Sequence, residues 1–171
     1  MNKSIRISII APIYGVERYI AQCADSLLSQ SYPNIEFIFV NDGTKDRSME
    51  ILNTLIEERY THRKEDIIIV NKENGGLPAA RKTGLEYATG DYVYHVDSDD
   101  WIAPDSIAKI AAKIAETGSD IVYFNLVKEY DDRSKPKQER SYTSAETIHA
   151  YHIICESCSF MRLVGSVWLC L

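Results

Sequence analysis

Asp97, Asp99 and Asp100 set three carboxylates within four residues, with Ser98 between the first two. Like charges this close raise one another's pKa unless a cation sits among them. Asp97 and Asp99 are two apart at the end of an apolar run, so a strand there turns both to the same side. Two hard oxygen ligands side by side suit Mg²⁺ or Mn²⁺ when the ion also holds substrate phosphates. The same acids suit the start of a following helix, with Asp100 as its cap, and the spacing alone leaves both readings open.

Other polar positions fall just after apolar runs. Asp42-Gly43 reads as a ligand-reading acid or as an ordinary turn. Gly75-Gly76, ahead of a helical pattern, offers backbone N–H groups at the positive end of a helix dipole and so a place for an anion, or it is a plain loop. Arg81, one turn further on, reaches the same anion or stays solvated. No P-loop or dinucleotide glycine pattern occurs in the chain. His149, His152, Cys155 and Cys158 are evenly spaced in a segment, Ala145 to Cys158, that reads as a last helix. Strung along one helix they spread over roughly 13 Å. That is too far to enclose one tetrahedral zinc with bonds of ~2.0–2.3 Å.

The elements that must position these residues alternate. Apolar, β-branched runs at Ile5–Pro12, Ile35–Val40, Ile67–Val70 and Tyr92–Val96, with a fifth beginning at Asp120–Val127, suit strands buried on both faces. Between them, Tyr19, Ile20, Cys23, Leu27 and Leu28 share a helical face. So do Ile51, Leu52, Leu55 and Ile56, then Leu77, Ala80, Gly84, Leu85 and Ala88, then Ile107, Ile110, Ala111 and Ile114. Pro104-Asp105 opens the last of these helices and Gly118 closes it. The alternation predicts an α/β fold with a mainly parallel sheet flanked by helices. In such a sheet ligands sit outside the carboxyl ends of the strands, where the acids and glycines lie.

The 171 residues are 45% hydrophobic and 26% charged, which excludes a disordered or fibrous chain and fits one domain with its own core. A net charge of −6 without a basic stripe excludes nucleic acid as a partner. The start of the chain lacks a secretory apolar region, and its four cysteines, Cys23, Cys155, Cys158 and Cys170, read as reduced thiols of a cytoplasmic protein. No run approaches the about 18 apolar residues of a membrane span. Work at the inner face of the cell membrane, by peripheral association, through a partner or through a segment outside this sequence, stays open, as does a homodimer.

The ordered stretches Ser8-Ile9-Ile10-Ala11-Pro12-Ile13-Tyr14, Glu17-Arg18-Tyr19-Ile20, Ser26 to Glu36, Val40-Asn41-Asp42-Gly43-Thr44-Lys45-Asp46, Asn74-Gly75-Gly76-Leu77 with Ala79-Ala80-Arg81, and Gly90-Asp91-Tyr92 leading to Asp97-Ser98-Asp99-Asp100-Trp101 resemble the donor-binding half of a family 2 glycosyltransferase. The resemblance implies the nucleotide-diphospho-sugar transferase (GT-A, Rossmann-like) fold, cut short at the C-terminus. Residues 1–127 would be the donor-binding core, and residues 128–171 a charged loop and the start of the acceptor side. It further implies that Asp42 accepts from a nucleobase, uracil N3–H foremost. Ala11, Pro12 and Tyr14 would form the floor under base and ribose, with Glu17 ordering that loop. Arg81 would lie near base and diphosphate, Asp97 and Ser98 at the donor, and Asp99, with Asp97, on Mg²⁺ or Mn²⁺.

The activity implied is metal-dependent, inverting transfer from a UDP-sugar to a polysaccharide or lipid-linked acceptor. The general base of relatives lies in the acceptor half, expected beyond Leu171. The alternative is a donor-binding module without transfer activity. Departures from the family pattern are Gly15, Asn41, Pro78 and Lys82; of these Asn41 and Lys82 make the site less negative. A response-regulator-like protein would carry a lysine after its fifth strand, as Lys128 does here, but its acids would be split between strand ends rather than gathered after strand four.

Overall fold

A computed structural model of the chain describes residues 4–123, 149–151 and 169–170. In chain order the elements are Ile7–Ile13 (β1), Ile20–Leu28 (α1), Ile35–Asn41 (β2), Ser48–Arg59 (α2), Ile67–Asn71 (β3), Leu77–Tyr87 (α3), Tyr92–His95 (β4), Ser106–Thr117 (α4), Ile121–Tyr123 (β5), His149–Tyr151 (β6) and Leu169–Cys170 (β7). A 3₁₀ turn over Thr61–Asp66 leads into β3.

The main sheet has the order β3-β2-β1-β4-β7. β1 is buried along its whole length and pairs in parallel with β2, from Ile7 opposite Ile35 to Ile13 opposite Asn41. β3 lies parallel to β2 and β4 parallel to β1. Side chains of a strand alternate between faces, and the core divides accordingly. Ile9, Ala11, Ile13, Phe37 and Phe39 pack with α1, α2 and α4, around Leu27, Leu52 and Ile110. Ile10, Ile38, Val40 and Val93 point the other way, onto Ala80 of α3. Gly84 lets α3 lie close on that face, since a Cβ there would run into Ile10 Cγ2.

The first four expected strands and the first four expected helices are all present, with differences at their edges. The fifth apolar run does form a strand, but β5 pairs antiparallel with β6 in a separate two-stranded sheet. The outer neighbour of β4 is β7, antiparallel, with Tyr92 opposite Cys170. A local apolar pattern marks a strand but not its partner. The helix expected over Ala145–Cys158 is corrected in part, because His149–Tyr151 is extended and hydrogen-bonded to β5. His152, Cys155 and Cys158 of the evenly spaced set lie outside the described residues. α4 begins after Asp105, so Pro104 precedes the helix and Asp100 does not cap it. Gly118 closes it in the left-handed conformation, φ 62°, as expected. Tyr19 lies outside the buried face of α1, 47% exposed. Among the described residues no helix is long and apolar enough to cross a membrane.

Candidate functional site

The chain leaves β1 toward β2 and β3 on one side and returns to place β4 on the other, so the sheet has its switch point between β1 and β4. The crevice outside those two carboxyl ends is where an open α/β sheet receives its ligand. The buried Ser98 hydroxyl donates to the Pro12 carbonyl at 2.7 Å and fastens the turn after β4 to the end of β1. Ser98 therefore holds the crevice wall together. Ala11 and Pro12 are buried beneath it, and Tyr14 is 55% exposed at its rim.

The loop after β1 is held by the loop after β2. Three successive backbone N–H groups donate to three side chains: Gly15 to Thr44 Oγ1 at 2.9 Å, Val16 to Ser48 Oγ at 3.2 Å, and Glu17 to Asp46 Oδ2 at 3.0 Å. In return the Arg47 N–H, at the start of α2, donates to Glu17 Oε2 at 3.2 Å. Glu17 thus ties the loop after β1 to the start of α2. Asp46 is the centre of this latch, accepting also from the hydroxyls of Thr44 and Ser48, each at 2.7 Å. Burial alone would raise its carboxyl, but the hydrogen bonds from Ser48, Thr44 and the Glu17 backbone outweigh it and hold the group at about 2.

Asp42 follows β2 with its side chain only 3% exposed. Its Oδ1 accepts from Lys72 Nζ at 2.5 Å and from the Gly75 N–H at 3.0 Å. Its Oδ2 accepts from the Gly76 N–H at 2.8 Å. The glycine pair at the head of α3 does bind an anion, and that anion is the protein's own Asp42. Burial would raise the carboxyl, yet Lys72 and the two amides draw it below the usual carboxylate range. Gly43 (φ 69°) is needed here, since a Cβ would come within 2.9 Å of the Asn74 nitrogen.

From the same helix Arg81 Nη2 donates to Asp97 Oδ1 at 2.6 Å. One end of α3 therefore grips the acid after β2 and its second turn grips the acid after β4. Beside them, burial and the Arg81 cation push the His95 imidazole down to about 4, so it is neutral near pH 7. Asp99 and Asp100 are exposed, and the Asp100 N–H closes the turn on the Asp97 carbonyl at 2.9 Å. Burial first, then the charges of Asp99 and Asp97, raise the Asp100 carboxyl. Burial and the same three acids push the Cys23 thiol up to about 12. The turn gathers three carboxylates, of which Asp97 is paired with Arg81.

Whether these residues suit a divalent ion depends on what completes its shell. Among the described residues no group of three or more His, Cys, Asp and Glu side chains is arranged to hold a metal. Asp99 and Asp97 offer hard oxygens, and Mg²⁺ is ordinarily held by one or two carboxylates together with phosphates and waters. The donor set fits an ion shared with a diphosphate, not one caged by protein alone.

Asp42, Arg81, Asp97, Ser98, Asp99, Ala11, Pro12, Tyr14 and Glu17 thus all stand at the carboxyl end of the sheet. The pattern did not single out Lys72 or Asp46. Their signal was weak, a lysine and an acid in the loops after β3 and β2, because Asp42 for Lys72 and the Glu17 N–H for Asp46 lie about thirty residues away in sequence.

Comparisons with known proteins bear on the fold and the family. The model of glycosyl transferase family 2 matches residues 8–168. Glycosyltransferase GlyA of Streptococcus pneumoniae serotype 4 is 39% identical over 152 residues, which cover 89% of this chain and 19% of GlyA. EpsJ of Bacillus subtilis, an uncharacterized glycosyltransferase, is 41% identical over 127 residues, 74% of this chain and 36% of EpsJ. Among solved structures, S. aureus TarS 1-349 in complex with UDP-GlcNAc aligns with a TM-score of 0.64 at 30% identity, over 78% of this chain and 37% of TarS. The mannosyltransferase PcManGT from Pyrobaculum calidifontis, in complex with GDP-Man and Mn²⁺, aligns with a TM-score of 0.63 at 26% identity, over 75% of this chain and 37% of that one. The chain spans between 19% and 37% of the length of these four relatives. The mainly parallel sheet shared with these glycosyltransferase structures is the GT-A fold, and with the family model matching residues 8–168 the chain belongs to glycosyl transferase family 2.

Proposed function

We propose that residues 1–127 form the donor half of a glycosyltransferase that takes a sugar from a UDP-sugar and transfers it, with inversion, to a polysaccharide or lipid-linked acceptor. The observation that carries this reading is α3. Its first N–H groups hold Asp42 after β2, and its Arg81 holds Asp97 after β4. Those two acids are thereby fixed by the head and the second turn of one helix, with the crevice of the switch point before them. Asp42 would take the base N–H, Tyr14 would lie against base or ribose, and Arg81 would face the diphosphate.

Asp99, with Asp97, would hold a Mg²⁺ or Mn²⁺ ion, which supplies charge neutralisation for the diphosphate as it leaves. The UDP-GlcNAc complex of TarS and the Mn²⁺ complex of PcManGT support this assignment by likeness. Attack by an acceptor hydroxyl needs a base within hydrogen-bond reach, and we place that base outside residues 4–123. The site works in this reading on the cytoplasmic side. The experiment is UDP release from a panel of UDP-sugars, with and without saccharide and lipid-linked acceptors. Acceptor-dependent release supports transfer. Donor binding with no such release supports the donor-binding module, and a chain that binds no nucleotide-sugar ends both readings.

A further inference from the structure

Asp42 is nearly buried, and three donors already converge on it. An ionised carboxylate has about four lone-pair sites, two on each oxygen. Lys72 Nζ and the Gly75 N–H fill both sites on Oδ1, and the Gly76 N–H fills one on Oδ2. One acceptor site is left, on Oδ2. The Lys72 ammonium is itself fixed, since it also donates to the Glu73 carbonyl at 2.5 Å. Its side chain is 21% exposed, so the pair is largely shielded from water.

This count has a chemical consequence for a base that meets Asp42. Uracil presents a single N–H between two carbonyls on its pairing edge, and one free acceptor satisfies it. Guanine presents two adjacent donors, N1–H and N2–H, which together call for both oxygens of a carboxylate. With Oδ1 saturated, guanine would leave one donor unpaired as its edge is desolvated, and an unpaired polar group in such a place is costly. We propose that Lys72 is a specificity-determining residue that, by occupying Asp42 Oδ1, makes the site accept uridine and reject guanosine nucleotides. Lys72 acts in this proposal through Asp42, whose Oδ1 it occupies, so it is a positioning residue. The inference rests on the donor reading above and adds to it the residue that selects the base.

The test is calorimetry of UDP, GDP and inorganic pyrophosphate, each with Mn²⁺, on the full 171-residue chain and on its Lys72→Met, Lys72→Gln and Lys72→Arg variants. Thermal unfolding establishes which variants are folded. The chain as it stands should prefer UDP to GDP by at least tenfold. Lys72→Met should compress that ratio to threefold or less, Lys72→Gln should fall between, and Lys72→Arg should restore most of it; pyrophosphate should bind alike throughout. Should Lys72→Met not fold, the graded pair Lys72→Gln and Lys72→Arg carries the comparison. A ratio that stays constant while UDP and GDP weaken together overturns the role of Lys72 and leaves the donor site standing, as does a parent chain that prefers GDP. A parent chain that binds neither nucleotide overturns both.

Discussion

Arg81 donates to Asp97 at 2.6 Å across the mouth of the crevice, so the first acid of the turn is tethered to α3 while Asp99 stands exposed. The tether sets where Asp97 points and keeps a guanidinium beside the place assigned to the diphosphate. Arg81→Met should weaken UDP binding in the presence of Mn²⁺ by at least tenfold. Arg81→Lys should recover little of it, because a lysine lacks the planar fork that meets carboxylate and phosphate together. Stability should change by less than about 1 kcal/mol, as both side chains are partly exposed. Calorimetry and urea unfolding of the same preparations separate the two effects.

Asp42 is assigned to the base and not to the phosphates. Asp42→Ala should therefore lower affinity for UDP at least tenfold while leaving inorganic pyrophosphate within about twofold, measured by competition at one Mn²⁺ concentration. Equal losses for both ligands would mean that Asp42 only organises the head of α3.

The latch between the first two loops carries a pH signature. Asp46 sits at about 2 in the fold against an ordinary 3.8. A carboxyl lowered on folding stabilises the protein above its unfolded value, and the contribution fades as pH falls from about 3.8 through about 2. Asp46→Asn should cost about 1–2 kcal/mol at pH 7, in the range of losing a helix-capping side chain. It should also flatten the decline of stability across that acid window. Urea titrations from pH 7 to pH 2 on both proteins read this out.

At the opposite end of the sheet Glu36 is buried and accepts from Ser8, Arg6, Thr89 and the Gly90 N–H. Gly90 makes that junction fit, because a Cβ there would lie 2.5 Å from Ser8 Oγ and 2.9 Å from the Arg6 carbonyl. Gly90→Ala should destabilise the chain by about 1–3 kcal/mol, the usual range for overpacking. A shift of the urea midpoint with unchanged slope checks it.

The strands, the helices and the end of the sheet that carries the chemistry were legible because each is written in local periodicity. The buried runs of β1 and β2 and the apolar face of α4 needed no partner to be recognised. What escaped is non-local. Nothing in Ile121–Tyr123 states that it pairs with His149–Tyr151 and leaves the edge of β4 to Leu169–Cys170. Gly75-Gly76 read correctly as an anion site, but its occupant stands more than thirty residues earlier, so Asp42 and the glycines looked like two sites when they are one. Ser98 sat within an acidic run with no sign that its hydroxyl donates to the Pro12 carbonyl, 86 residues away. Lys72 and Asp46 were unremarkable as residue types; only the fold shows the carboxylate and the amides they meet.

The central claim, that the turn after β4 holds a divalent ion jointly with a nucleoside diphosphate, is tested most directly by titrating UDP into the chain with Mn²⁺ and again with EDTA. UDP should bind measurably only with the metal. Asp99→Asn should weaken that binding by at least tenfold, roughly 1.4 kcal/mol. Asp105→Asn, an exposed acid paired with Lys109 on α4, should leave it unchanged. Equal UDP affinity with Mn²⁺ and with EDTA would contradict the account.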